Sequence, residues 1–399
     1  MNINEKKSFD VIVIGGGAAG MMAAITAASN GADTMILEHK DRVGKKILST
    51  GNGKCNYTNE LQGVTYYRGD DPAFVLPVME QFGFAETVSF FEKLGIYPKN
   101  RNGYYYPASE QAASVSDVLR MELTFRHVPV VTECELRNIS GKKNGFLLET
   151  GKGRFSAEKI IFATGLLAAP KTGSDGSAIP LIKAFGHRFS DIVPALTALQ
   201  CRESFFKQLA GIRTEAEVSL FIAGENIISE RGELQLTDYG ISGIPVFQLS
   251  SYAIRALDEG KKVTLSVNFL PEHTKASLQE YLKKRQEICP YQSAAELLLG
   301  LLPDKLIKMF RKQKKDLCDT IMSYELEVKD SSGFEQAQVC SGGVDTSQVN
   351  PETLESVLHK GLYFAGELLD IDGPCGGYNL QWAWSSGVVA GRSSAKENL

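Results

Sequence analysis

The residue types and spacings that could do chemistry begin at Gly15-Gly16-Gly17-Ala18-Ala19-Gly20 and continue to the carboxylate of Glu38. The glycines keep a G-x-G-x-x-G spacing, and Glu38 follows Gly20 by 18 residues. Glycine at the first position permits a tight turn, at the second lets a diphosphate approach the backbone, and at the third lets a helix sit close on a strand. A helix starting there offers free N–H groups and the positive end of its dipole to phosphate oxygens. A carboxylate about 20 residues further on can accept ribose hydroxyls and would repel a 2′-phosphate.

The elements that must position these groups are legible around them. Residues 11–14 are apolar and β-branched, which predicts a strand buried on both faces. Residues 21–28 predict an Ala-rich helix and residues 34–37 a second strand, with Glu38 at its end. Strand, glycine loop, helix, strand and acid within about 30 residues make a dinucleotide-binding unit. The expected class is α/β, a doubly wound Rossmann-like domain carrying an insertion that is first β-rich and then helical. The expected segments are 1–190, an inserted 191–335 (β-rich 191–270, helical 271–325) and a returning 336–399.

Further along, residues 50–56 form a glycine- and asparagine-rich loop flanked by Lys45, Lys46 and Lys54, cations that can reach phosphates. Residues 74–94 predict two helices broken near Gly83, and Asn102-Gly103 predicts a turn in a tyrosine-rich hairpin. Residues 114–126 predict a helix capped by Ser114. Two strands over 145–150 and 153–157 precede a buried strand over 159–163, which ends in Ala163-Thr164-Gly165. In the insertion, 194–200, 216–228, 233–237 and 261–269 predict strands and 246–257 a helix. A last buried strand over 361–367 ends in Gly366-Glu367, and a helix over 379–390 could present its N–H groups to a flavin pyrimidine edge.

The chain has 399 residues, 43% of them hydrophobic and 23% charged, with a formal net charge of −4. That balance offers no basic footprint, so no nucleic-acid partner is expected. No stretch approaches the roughly 20 apolar residues of a membrane span, so no membrane partner is expected. Seven scattered cysteines without a C-x-x-C pair predict reduced thiols and a cytoplasmic setting. The histidines show no metal-ligand spacing. The oligomeric state is not encoded in any motif.

Taken together, Gly15 to Gly20, 50–56, 237–243, Ser341-Gly342-Gly343-Val344 and 364–381 resemble the YhiN/BaiN-type bacterial family of FAD-dependent oxidoreductases. That family includes aminoacetone oxidases and bile-acid-acting reductases, and the resemblance spans nearly the whole chain. It implies an FAD domain built from both chain ends, with the inserted region over the flavin. Carried over by position, Gly15, Gly17, Gly20, Glu38, Lys46, Asn52, Gly53, Gly366, Glu367, Gly377, Tyr378 and Asn379 fall in FAD-contacting segments. The expected cofactor-binding set also takes in Ala18, Ala19, His39, Lys45, Cys134, Ala163, Thr164, Gly165 and Leu380. Two departures stand out: Lys54 replaces a usual arginine, removing a bidentate contact. Leu166-Leu167 replaces a usual glycine and aromatic residue in a segment expected to line the pocket.

The resulting expectation is hydride exchange between flavin N5 and a small organic molecule. NADH or NADPH serves as donor and an apolar enone or steroid-like, bile-acid-type compound as acceptor. No second G-x-G-x-x-G unit exists for a nicotinamide cofactor. Amine oxidation by oxygen and a non-catalytic flavin sensor are the alternatives; an RNA-modifying enzyme is disfavoured by the acidic balance. Tyr106, Tyr239 and Cys375 are the candidate catalytic side chains, and no metal is expected.

Overall fold

The computed structural model describes residues 7–142, 144–313 and 316–395, so the extreme ends of the expected 1–190 and 336–399 segments lie outside the described residues. The chain divides into two compact units, Met1–Ile192 with Gln338–Leu399, and Val193–Ala337.

The first unit is built on a seven-stranded sheet. Its central strand, Ser8–Ile14, runs parallel to Thr34–Leu37 on one side and Gly153–Phe162 on the other. Val130–Val131 extends the sheet beyond Thr34–Leu37, and Leu362–Phe364 pairs in parallel with residues 160–162. A strand from the end of the chain therefore completes a sheet begun at its start. Leu136–Lys142 and Gly145–Thr150 add an antiparallel edge.

Gly153–Phe162 is one strand where the sequence predicts two. Its first half carries the antiparallel edge, and its second half lies between Ser8–Ile14 and Leu362–Phe364. Burial changes from alternating to continuous along it, because a strand covered on both faces loses the period of two. That change reads as a break in the sequence.

Two helices shape the site. Ala18–Ser29 follows the glycine loop, and Tyr378–Ala395 packs on it. Contact is backbone-close: a Cβ at Gly387 would lie 2.6 Å from the Ala19 carbonyl oxygen, and one at Gly391 only 2.3 Å from that of Ala23. Buried polar bonds fix the second helix. The Gln381 amide donates to the Thr87 and Ser385 hydroxyls, and Trp384 Nε1 donates to the Tyr57 carbonyl at 2.8 Å.

Helices Val75–Gln81 and Phe84–Lys93 break around Gly83, and Pro98–Arg101 pairs with Tyr104–Pro107 about the Asn102-Gly103 turn. The next helix, Ala112–Phe125, begins before Ser114. Ser114 therefore sits in the first turn, with its hydroxyl 2.8 Å from that of Ser109, and is not the cap.

In the second unit six strands close an antiparallel barrel. Their order is Leu199–Cys201, Gly240–Ser242, Glu225–Leu236, Arg213–Ile222, Val263–Asn268 and Tyr324–Ser331, the last pairing back on the first. Ala216, Val218, Leu220, Leu265 and Val267 alternate into its core, joined by Val246, Leu249 and Ala253 of helix Ile244–Asp258. Residues 216–228, expected as one strand, instead turn at Ala223-Gly224, where φ is 52 and 91. The β-rich part also does not end at 270. The closing strand Tyr324–Ser331 follows helices Lys275–Ile288, Asp304–Phe310 and Leu317–Met322, because barrel closure joins strands far apart in sequence.

Candidate active site

A cavity of about 510 Å³ lies within the first unit, at the carboxyl ends of the parallel strands. Gly15 donates to the Leu37 carbonyl at 2.8 Å, which brings the glycine loop against the end of the second strand. Gly15 has φ +99, and a Cβ there would sit 2.6 Å from the Ala163 carbonyl oxygen. A Cβ on Gly20 would lie 1.9 Å from the Gly15 carbonyl oxygen, so both glycines are demanded by the protein's own packing. Gly17 differs. Its φ of −76 suits any residue, and an added Cβ would meet nothing within 4 Å. No protein atom explains that glycine, and it faces the cavity at the start of helix Ala18–Ser29.

Glu38 is buried and held by two backbone donors. Gly16 N–H donates to Oε2 and Lys40 N–H to Oε1, each at 2.7 Å. This clip fixes the carboxylate plane while leaving each oxygen a further lone pair for a hydroxyl. His39 lies between carboxylates, with Nδ1 3.8 Å from Glu38 Oε1 and Nε2 3.2 Å from Asp175 Oδ2. Cys134 N–H donates to the Glu38 carbonyl at 2.9 Å, which sets Glu133 to Leu136 along the same wall.

Elsewhere in the cavity wall, Lys46 Nζ lies 2.6 Å from Glu367 Oε2, and the other Glu367 oxygen accepts from Cys340 N–H at 2.8 Å. Burial, with Glu367 beside it, pushes the Cys340 thiol up to about 12, so it stays protonated. The Gly366 carbonyl accepts from Trp382 Nε1 at 3.0 Å, and its N–H donates to Ser386 Oγ at 2.9 Å. These bonds lock Glu367 against the C-terminal helix. Asn379 at that helix's start is spent on its own loop, accepting from Gly373 N–H and donating to the Gly373 carbonyl.

Of the residues expected from sequence, Gly15, Gly17, Ala18, Ala19, Glu38, His39, Lys45, Lys46, Cys134, Ala163, Thr164, Gly165, Gly366, Glu367, Asn379 and Leu380 line this cavity. Gly20 lies beneath it, buried in the helix–loop contact. Asn52 and Gly53 are exposed and outside the lining, because left-handed backbone at Gly51, Asn52 and Gly53 turns that loop towards solvent. Gly377 and Tyr378 are also outside it: Gly377 packs on Thr58, and Tyr378 stacks on Tyr66 with ring centroids 4.8 Å apart. Leu166 is fully buried and, like Leu167, does not line the cavity.

None of the three candidate catalytic side chains lines the cavity. Tyr106 is half-buried in the hairpin, Cys375 lies before the C-terminal helix, and Tyr239 belongs to the second unit. The sequence reading passes over Arg42, Gln338, Val339 and the loop over 172–178, all of which line it. The signal for that loop is its run of small polar residues, Thr172-Gly173-Ser174-Asp175-Gly176-Ser177, soon after Ala163-Thr164-Gly165. Among the described residues no cluster of His, Cys, Asp and Glu could hold a metal ion, and no helix is long and apolar enough to cross a membrane.

A glycine left open by the protein, a clipped carboxylate and a parallel sheet ending at the same cavity define a dinucleotide-binding protein of the Rossmann class. Within that class, the chain belongs to the HI0933-like family, whose Rossmann-domain model matches residues 9–393. It is 43% identical to the 3-dehydro-bile acid delta(4,6)-reductase of Clostridium scindens, covering 96% of this chain and 98% of that one. It is 28% identical to the ribosomal RNA dihydrouridine synthase of Escherichia coli K12, covering 97% of this chain and 99% of that one. Among solved structures it is similar in fold to 3-ketosteroid-delta4-(5alpha)-dehydrogenase from Rhodococcus jostii RHA1. There the TM-score is 0.51 at 15% identity, covering 99% of each chain. The protein is an FAD-dependent oxidoreductase.

Proposed function

We propose that the chain is an NAD(P)H-linked reductase of an apolar enone, of the steroid-like, bile-acid type. The observation that carries this reading is the 43% identity to a bile-acid reductase over almost the full length of both chains. The cavity fits the cofactor's parts. Gly17, Ala18 and Ala19 would receive the diphosphate at the helix N-terminus, and the open space over Gly17 is the room that a Cβ would fill. Glu38, already oriented by Gly16 and Lys40, would accept the adenosine ribose hydroxyls, with Cys134 and His39 beside it. Lys45, Lys46, Ala163 to Gly165, Gly366, Glu367 and Leu380 would surround the flavin half.

When bound, FAD supplies hydride acceptance and donation at N5. This chain's residues bind and orient. Lys46, paired with Glu367, brings a cation into the cavity wall without a net charge. Cys340 contributes a neutral thiol that accepts from Leu167 N–H at 3.3 Å, a packing role and no redox one. A nicotinamide donor has no second G-x-G-x-x-G unit to bind and would use the same cavity as the enone, in turn. A cytoplasmic location, with reduced thiols, accompanies this reading.

The ribosomal RNA relatives give the second reading, in which the reduced base is a uridine in RNA. The two are separated by one assay. Enzyme reduced anaerobically should be reoxidised within turnover time by a 3-oxo-4-ene steroid and left reduced by unmodified ribosomal RNA. Reoxidation by the RNA alone would overturn the proposal.

A further inference from the structure

The hairpin of Pro98–Arg101 and Tyr104–Pro107 has two unlike faces, set by the alternation of its side chains. Asn100 and Tyr105 pair in register on one of them, where Tyr105 packs edge-on against Phe84 with centroids 4.9 Å apart. Lys99, Arg101, Tyr104 and Tyr106 occupy the other. On that face Lys99 Nζ lies 2.5 Å from Glu110 Oε1, Arg101 Nη2 contacts the same oxygen, and Lys54 Nζ lies 3.7 Å from Oε2. Three cations thus share one carboxylate, leaving an excess of two positive charges from these four groups. The other carboxylate near the hairpin, Glu60, accepts from Asn100 on the opposite face.

The cluster is organised before any ligand arrives. Glu110 holds φ 51, a left-handed conformation that side chains with a Cβ rarely adopt, and its carboxylate lies among the three cations. All three cations keep close to half their surface in solvent, with free N–H donors for a second anion. The cluster lies outside the cavity lining but beside the loop that leads to it. The Arg101 guanidinium lies 5.6 Å from the Tyr106 ring centroid, and the Tyr106 ring lies beside Gly51. Thr50, the residue before Gly51, lines the cavity.

We propose that Lys54, Lys99 and Arg101 form a subsite for the carboxylate of an acidic steroid-like substrate, with Tyr106 bridging this subsite to the cavity. The inference rests on the reductase reading and adds to it the residues that would hold the substrate's carboxylate. A guanidinium and two ammonium groups that already share one carboxylate suit a second one, and the adjoining tyrosine face suits an apolar skeleton.

The test is a titration of the FAD-loaded enzyme, followed by flavin absorbance, with a 3-oxo-4-ene steroid carboxylic acid and separately with its methyl ester. The acid should bind about tenfold tighter than the ester. Arg101→Gln and Lys99→Gln should each reduce that ratio by about threefold and leave ester binding unchanged. Equal binding of acid and ester in the wild type, or an unchanged ratio in both variants, would overturn the subsite while leaving the reductase reading standing. If neither compound perturbs the flavin, the reductase reading fails and the subsite falls with it. A third arm titrates the reduced nicotinamides. A loss confined to NADPH in the variants would assign the cluster to a 2′-phosphate and overturn the proposal.

Discussion

Replacing Gly20 with alanine would place a methyl group 1.9 Å from the Gly15 carbonyl oxygen, whereas the same change at Gly17 meets no protein atom within 4 Å. The two variants should therefore fail in different ways. Gly20→Ala should not yield folded protein at normal levels, since neither helix nor loop can retreat. Gly17→Ala should melt within about 2 °C of the wild-type apoprotein but bind FAD about tenfold or more weakly. Thermal melts of apoprotein beside FAD titrations make the comparison, and equal FAD affinity for Gly17→Ala would contradict the diphosphate placement. Glu38→Ala removes the acceptor from the buried Gly16 N–H and the partly buried Lys40 N–H, and the buried orphaned donor alone costs about 1–3 kcal/mol. It should also shed FAD on dialysis, read as a falling ratio of flavin to protein absorbance.

At the scale of elements, the turn over 346–356 is tied to the segment after helix Ile179–Ala184 by a buried pair, His187 Nε2 and Ser356 Oγ, 2.9 Å apart. Ser356 Oγ already accepts from the N–H groups of Leu358 and His359, so its hydroxyl donates to the imidazole. Burial, with His359 nearby, lowers His187 to about 4. The unfolded chain binds that proton first, near pH 6.5. The stabilisation from this neutral histidine is therefore complete above about pH 6.5 and is lost as the pH falls towards 4, by up to the order of 3 kcal/mol. His187→Gln should flatten the fall of the urea midpoint across that window, and an unchanged slope would contradict the assignment.

The elements also show what sequence could and could not reveal. Strand Thr34–Leu37 and helix Ala18–Ser29 are legible because a doubly buried run and a glycine loop are local signals. Asn52 and Gly53 are misplaced because glycine and asparagine announce left-handed backbone without saying which way the loop then turns. Cys134 carries no local signal of its own and Asp175 is missed, because each depends on the pairing of distant segments around Glu38.

For the whole molecule, the interrupted first unit is legible in outline. Residues 361–367 carry the pattern of a strand that no neighbour in sequence can satisfy, and Leu362–Phe364 finds its partner in Gly153–Phe162. The barrel is not legible, since its closure pairs Leu199–Cys201 with Tyr324–Ser331, strands far apart in sequence. The net charge of −4 hides the cationic face around Glu110, because composition averages over a surface that the fold sorts into patches. In the proposed reductase reading, with no second G-x-G-x-x-G unit in the sequence, donor and acceptor would alternate in one cavity.

An anaerobic absorbance titration of the purified protein with NADH and NADPH tests the cofactor site and the proposed donor together. A yellow protein is expected, whose flavin band bleaches with one of the two donors and returns when a 3-oxo-4-ene steroid is added. A protein that stays oxidised with both donors would contradict the nicotinamide-linked reductase, and one that stays colourless after incubation with FAD would contradict the cofactor site itself.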